Sequence, residues 1–264
     1  MTRIKTDNRC AALFDLDGVL IDSETVYTRF WSEMGRKFRP DVPTLATDIK
    51  GTTLTHILGT YFKPDTHAYI KERLDELERT MPFDLKPGVR DLLASLTERN
   101  VPAVMVTSSN EQKMTSLWAR QPELRGFFKG IVTADMIHHS KPNPEGYLAG
   151  ASIAGVPPRN CVVFEDSEQG VMAGQRAGAY VVGVAGTLPA AVIAPYSDRV
   201  VDTLQNFDVD ELIDILTSRI DGPTSRMDGP TSRMDGPTSR MDGPTSRMDG
   251  PTSRMDGPTS RTEP

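Results

Sequence analysis

The sequence predicts an α/β protein, built on a doubly wound, Rossmann-like parallel sheet with a small α-helical cap inserted after the first strand. Apolar runs of strand length alternate with helical patterns through most of the chain, and this alternation is typical of a parallel sheet covered by helices on both faces. Residues 23–82, in contrast, show helical patterns only. We therefore expect an α/β core formed by residues 1–22 and 83–220, a cap at 23–82 and a separate tail at 221–264.

The individual elements follow from apolar spacing. The first strand is predicted at Cys10–Phe14, and the first helix follows Ser23, a residue type that favours helix N-caps. Within the cap, this helix extends to Met34 and a second one covers residues 65–79. After a linker at 82–88, strands are predicted at 101–106, 130–133, 161–164 and 180–184, and helices at 89–96, 114–118, 144–148, 168–177 and 209–216.

The tail is a tandem repeat. The unit Asp-Gly-Pro-Thr-Ser-Arg begins at Asp221 and occurs six times. Each unit carries a helix-breaking Gly-Pro pair and a single Met, so the tail is predicted to be disordered rather than a coiled coil. An alternative hypothesis treats the repeats as the working part of an interaction protein whose core is idle.

Composition narrows the function classes. The formal net charge of −6 belongs to residues 1–221, because six Arg balance six Asp and Glu from position 222 onward. A mildly acidic domain gives no electrostatic reason to expect nucleic acid or a membrane as partner. No apolar run reaches the roughly 18 residues of a membrane span, and residues 1–9 lack the apolar segment of a signal peptide. We therefore expect a cytoplasmic monomer with two buried, reduced cysteines, Cys10 and Cys161.

Four polar clusters stand at predicted strand ends or helix starts. They are Asp15 with Asp17, Thr107-Ser108-Ser109-Asn110, Lys141, and Glu165 with Asp166. Ligands of open α/β sheets bind at the carboxyl ends of the strands, so we expect the clusters to converge there. Each also has an ordinary structural interpretation as a turn, a helix N-cap, a solvated lysine or acids at a helix start. Four such coincidences in order are less economical than one functional site.

Together the clusters contain the parts of a phosphoryl-transfer site. Hydroxyls and amides at a helix N-terminus suit a phosphate dianion, and a lysine adds compact positive charge. Oxygen ligands suited to a hard cation such as Mg²⁺ are supplied by Asp15, Asp166, Glu165 and the backbone carbonyl of Asp17.

These motifs resemble, in order, those of the haloacid-dehalogenase-like phosphohydrolases. They read Phe-Asp15-Leu-Asp17-Gly-Val-Leu-Ile-Asp-Ser-Glu, Val-Thr107-Ser-Ser-Asn, Ser-Lys141-Pro-Asn-Pro and Val-Phe-Glu165-Asp166-Ser. The resemblance covers residues 10–216 and points to the branch of β-phosphoglucomutases and sugar-phosphate phosphatases.

The resemblance implies a mechanism. Asp15 would attack phosphorus and form an aspartyl-phosphate, and Asp17 would serve as acid and then as base. Mg²⁺ would join Asp15, the phosphoryl group and Asp166. Thr107 and Lys141 would hold the phosphoryl oxygens, and the cap would close over the site.

Two departures from the mutases of this branch favour a phosphatase. The mutases carry an arginine in the cap where this chain has Leu54, and a histidine where it has Tyr27. Leucine does not bind the second phosphate that a mutase must hold. A mutase of the β-phosphoglucomutase type stays an alternative if another cap cation, such as Lys50 or Arg73, binds that phosphate.

The resemblance also suggests the substrate. Glu24 and the small cap are similar to those of sugar-phosphate phosphatases, which predicts a small phosphorylated metabolite, a sugar or polyol phosphate. Phosphoglycolate and nucleoside monophosphates stay open, since one fold serves many leaving groups. The predicted substrate-binding residues are Gly18, Glu24, Thr107, Ser108, Ser109, Asn110 and Lys141.

Overall fold

The strands of the protein form one parallel sheet. The computed structural model describes residues 9–221 and contains, in this part of the chain, strands β1 to β6 at Ala11–Phe14, Ala103–Val106, Phe128–Val132, Cys161–Glu165, Tyr180–Val184 and Arg199–Val201. Their order in the sheet is β3-β2-β1-β4-β5-β6, and every neighbouring pair is parallel. The predicted doubly wound parallel sheet is confirmed. Its first strand lies at the centre, between β2 and β4.

The helices alternate with the strands after β2, whereas five α-helices stand between β1 and β2, four of them within the insert. Those four, α1 to α4, cover Glu24–Phe38, Leu45–Asp48, Leu54–Tyr61 and His67–Thr80. The others, α5 to α10, cover Val89–Glu98, Glu111–Arg120, Glu145–Ala154, Glu168–Arg176, Ala190–Ile193 and Val209–Asp221. The insert at 23–82 is therefore helical, as expected, while its status as a separate domain stays a prediction.

Apolar side chains cover both faces of the sheet. Helices α5, α6 and α10 contribute to the apolar cluster on one face, and α7, α8 and α9 to that on the other. Phe14 of β1 stacks on Phe164 of β4, with ring centroids 4.6 Å apart. A third cluster, which includes Trp31, Met34 and Leu74, lies within the helical insert. The polar ends of β1 and β4 thus rest on a closely packed layer that fixes their positions.

Some features differ from the prediction. β6, α2 and α9 have only three or four residues each, too few to show a period in the sequence. Ser23 precedes α1, but its hydroxyl makes no capping bond to the helix.

Cys10 and Cys161 are buried and unlinked, as predicted. The repeat tail, from position 222, lies outside the described residues. Within residues 9–221, no helix is both long enough and apolar enough to cross a bilayer.

Candidate active site

The predicted polar clusters converge at the carboxyl edge of the sheet. Asp15 follows β1 directly and donates its backbone N–H to the carbonyl of Phe164 at 3.0 Å. Glu165 ends β4, and Thr107 follows β2. Because β2, β1 and β4 are neighbours in the sheet, these three residues emerge side by side. The topology therefore places the side chains that the sequence singled out into one site.

Three carboxyl groups form a buried cluster, and two of them pair with one buried lysine. Ligand oxygens of Asp15, Glu165 and Asp166 all lie within 4.8 Å of one another. The Lys141 ammonium donates to Asp15 Oδ1 at 2.7 Å and to Glu165 Oε1 at 2.5 Å. Four ionisable groups thus share a space from which water is largely excluded. The cluster thus holds one ammonium group and three carboxyl groups.

Glu165 anchors this cluster. Its Oε1 accepts from Lys141 and from the Tyr147 hydroxyl, the latter at 2.9 Å. Its Oε2 accepts from the backbone N–H groups of Asp166 and Ser167 and from the Ser167 hydroxyl, at 2.9 to 3.0 Å. Both oxygens are thus engaged by protein donors. Its predicted role as a metal ligand stays a prediction.

The charges in the cluster do not balance. Burial raises the pKa of Asp15 to about 7, since the single nearby lysine does not fully offset it. Burial, together with Glu165 and Asp15, raises the pKa of Asp166. Burial alone would lower the pKa of Lys141, but the two carboxylates outweigh it and raise that pKa. A cluster of buried oxygen ligands with surplus negative charge fits a hard divalent cation.

Gly18 leaves room for Asp166. Its φ of +72° is in the left-handed region, and a Cβ there would come within 1.7 Å of an Asp166 carboxylate oxygen. Its carbonyl accepts a hydrogen bond of 2.7 Å from Lys86. Only glycine meets both the conformational and the spatial requirement at this position. The backbone after Asp17 therefore passes directly beside the carboxyl cluster.

Asp17 lies near this cluster but has a lysine of its own. Lys113, on α6, donates to both carboxylate oxygens at 2.5 and 2.6 Å. The hydroxyls of Ser23 and Ser109 donate to the same carboxylate at 2.5 and 3.0 Å. Burial raises the pKa of Asp17, but the Lys113 charge and these hydrogen bonds outweigh it and lower the pKa. Sequence reasoning missed Lys113, although its spacing with Leu117 on the apolar side of α6 was a signal.

The four residues after β2, Thr107 to Asn110, each take a different hydrogen-bond partner. The Thr107 side chain accepts from the backbone N–H of Ser109, and Ser109 reaches Asp17. The Ser108 hydroxyl donates to the carbonyl of Gly51 in the helical insert at 2.8 Å. Asn110 caps α6 by accepting from the N–H of Lys113 at 2.9 Å. The capping interpretation thus holds for Asn110, while Thr107 stays beside the carboxyl cluster.

A cavity of about 220 Å³ separates the strand ends from the helical insert. Asp15, Asp17, Asp166 and residues 108–110 form part of its wall, and the insert contributes the rest. Its volume is below the roughly 300 to 1,000 Å³ of pockets for drug-sized ligands, so the cavity fits a small molecule.

The insert contacts the core around this cavity. Lys50 pairs with Glu24 and donates to the carbonyl of Thr187 at 3.2 Å. The backbone N–H of Thr53 donates to the Ser140 hydroxyl at 2.9 Å. Glu24, predicted to bind substrate, thus stands in the cavity wall with a lysine as its partner. These contacts join loops of the insert and the core over the carboxyl cluster.

Several known proteins are similar to this chain in sequence. The family model described as haloacid dehalogenase-like hydrolase matches residues 11–178, more than half of the chain. Hexitol phosphatase A of Escherichia coli is 34% identical over 189 residues, which cover 67% of this chain and 83% of that protein. A phosphorylated carbohydrates phosphatase of Thermotoga maritima is 29% identical over 64% of this chain and 81% of its own length.

The solved structures include similar folds. A β-phosphoglucomutase from Clostridium difficile superimposes with a TM-score of 0.66 at 23% identity, and covers 80% of this chain and 98% of that one. At this identity the likeness concerns the fold alone.

Proposed function

The chain belongs to the haloacid dehalogenase-like hydrolases, as a phosphatase of their sugar-phosphate branch, and we propose that it hydrolyses the phosphate ester of a small sugar or polyol through an aspartyl-phosphate. The observation that supports this best is the buried cluster of Asp15, Glu165 and Asp166 around Lys141. Its similarity to proteins named for hexitol phosphates and phosphorylated carbohydrates supports the proposed substrate class.

In the first step, a carboxylate oxygen of Asp15 attacks phosphorus, and the ester bond between phosphorus and the leaving oxygen breaks. Asp17, which is ionised in the free protein because, in spite of burial, Lys113 lowers its pKa, takes a proton from the bound phosphate monoanion and passes it to that oxygen, so the sugar or polyol leaves as an alcohol. Asp17 is then a carboxylate, the form that Lys113 stabilises at 2.5 Å. The Lys141 ammonium lies beside Asp15 and offsets the negative charge there in both steps.

In the second step, water attacks the phosphorus of the aspartyl-phosphate. Asp17 takes a proton from this water, which releases inorganic phosphate and restores the Asp15 carboxylate. The insert over the cavity keeps other water away from the reacting groups.

The donor set of the site fits Mg²⁺. Asp15 and Asp166 would hold it, with Glu165 and the backbone carbonyl of Asp17 as the further predicted oxygen donors. When bound, the cation offsets the repulsion between an anionic substrate and an anionic nucleophile.

The cavity wall favours hydrolysis over transfer to a second sugar oxygen. Leu54 and Tyr27, which stand where the mutases have basic residues, both line the cavity. Lys50 is paired with Glu24. Lys71, on α4, also lines the cavity, and the mutase alternative would depend on a cation of this kind.

Phosphate release in the presence of Mg²⁺ tests the proposal. The panel contains glucitol 6-phosphate, other hexose and polyol phosphates, phosphoglycolate and nucleoside monophosphates, and β-glucose 1-phosphate with a separate assay for glucose 6-phosphate. We expect phosphate from a sugar or polyol phosphate and no isomer. Formation of glucose 6-phosphate without phosphate release would instead identify a mutase.

Asp15→Asn tests the mechanism. We expect at least about a 10³-fold loss of kcat, because the amide is not a nucleophile. Asp22→Asn is the matched control, since Asp22 is an aspartate seven positions further along the same loop region but is exposed. Near-normal turnover of Asp15→Asn would overturn the proposed mechanism.

A further inference from the structure

One buried carboxyl group in the cavity wall is not used by this mechanism. Glu78 stands on α4, only 7% exposed, and lines the same cavity as Asp15 and Asp17. It belongs to the insert, which packs α4 beside α6 of the core. An acid this deeply buried is costly unless it is paired.

Only half of this carboxyl group is paired. The Tyr27 hydroxyl donates to Glu78 Oε1 at 2.7 Å. Oε2 is buried and has no hydrogen-bond partner among the described residues. A buried carboxylate oxygen without a donor is unfavourable, because it has lost its contact with water and gained none in return. Because Glu78 lines the cavity, a ligand hydroxyl would supply the missing donor once a small shift of the neighbouring side chains opens Oε2 to the cavity.

We propose that Glu78 binds a hydroxyl group of the leaving sugar or polyol, and that Tyr27 is a positioning residue that orients Glu78. The proposal rests on the proposed function, because a hydroxyl-rich leaving group is its premise. Phosphorus lies at Asp15, so the leaving group must extend from there along the cavity wall. Glu78 and Tyr27 form part of that wall.

The surroundings favour a neutral hydroxyl over a cationic group. The Lys113 ammonium lies 4.5 Å from the centroid of the Tyr27 ring and would repel a second cation. Burial raises the pKa of Glu78, although Lys113 acts against it. A hydroxyl both donates and accepts, so it pairs with Oε2 whether the carboxyl group is ionised or protonated.

Two substrates of equal chain length test the proposal. Glucitol 6-phosphate carries hydroxyls along its chain, and hexyl phosphate carries none. We expect Glu78→Leu to lower kcat/KM for glucitol 6-phosphate by about 10- to 100-fold, and that for hexyl phosphate by less than about threefold. Glu78→Gln, which keeps one acceptor oxygen, should lose less. Tyr27→Phe should show a smaller loss with the same preference.

Glu72→Leu is the matched control, since it removes an exposed acid from the same helix. The ratio of the two substrates is measured within each variant, so a reduced folded fraction does not affect it. Equal losses on both substrates would overturn this inference alone and assign the Tyr27–Glu78 pair to cap packing. If the wild-type protein released no phosphate from any sugar or polyol phosphate, the proposed function would fail, and this inference with it.

Discussion

Two buried lysines on opposite sides of the site differ in the charge that they face. Lys141 is 5% exposed and meets Asp15 and Glu165, with Asp166 close by. Lys113 is 1% exposed and forms an ion pair with Asp17, a side chain that is still 29% exposed, while its charge also acts on Glu78. Lys141 thus belongs to a buried cluster of three carboxyl groups, whereas the carboxylate paired with Lys113 is still in contact with water. The excess of carboxyl groups on the Lys141 side suits a cation and a phosphoryl group. The Lys113 ion pair instead holds Asp17, the proposed proton carrier, in place.

The largest effect should come from neutralising each lysine in turn. We expect Lys141→Met to destabilise the protein by about 3 to 5 kcal/mol, because it leaves buried carboxylates without a partner. Lys113→Met should cost only about 1 to 2 kcal/mol, since Asp17 keeps two hydroxyl donors and some contact with water. Urea unfolding in EDTA at pH 7.5 measures both. An equal or larger cost for Lys113→Met would mean that charge surplus does not distinguish the two sides.

Binding of Mg²⁺ should change the free energy of unfolding by a smaller amount. If the cation binds on the Lys141 side, it should raise the free energy of unfolding by about 2.7 kcal/mol at 100 times its dissociation constant. Asp166→Asn should abolish this gain, and without metal this variant should be at least as stable as wild type because it removes repulsion.

The control for the metal experiment is Glu168→Gln, which removes a neighbouring acid at the start of α8. It should keep the full gain from Mg²⁺. Equal stabilisation of Asp166→Asn and wild type would place the cation outside the carboxyl cluster.

The smallest effect should come from a partly exposed carboxyl group that lies close to Lys141 in the chain, Glu145. The backbone N–H of His138, followed by the rings of His138 and His139, lowers the pKa of Glu145 from 4.5 to about 2. Because the folded pKa lies below the unfolded one, this stabilisation is complete above about pH 4.5 and is lost as the pH falls towards 2.

Glu145→Gln tests this difference between exposed and buried charges. Its unfolding temperature should be slightly below that of wild type at pH 6, and the two should approach each other between pH 4.5 and 3. A gap that stays constant over this range would show that the Glu145 charge is not its cause. The small expected size reflects screening by water, which the carboxyl groups paired with Lys141 largely lack.

The sequence by itself determined the parallel sheet, the helical insert and most of the carboxyl cluster. Strand runs, helical spacing and strand-end acids are local patterns, and the order of the strands along the chain already implies one common edge. Asp15, Lys141 and Asp166 were predicted to converge, and they do. The family of the chain was likewise evident from short motifs.

The tertiary structure alone decided which partner each polar side chain takes. Lys113 meets Asp17 across 96 positions of the chain, and Tyr27 meets Glu78 across 51. The Ser23 hydroxyl donates a hydrogen bond to Asp17 and does not cap its own helix. These contacts depend on how α1, α4 and α6 pack, and a pattern of a few residues carries no information about such distant neighbours. Sequence patterns therefore located the reacting groups, whereas packing decided which of their charges are balanced.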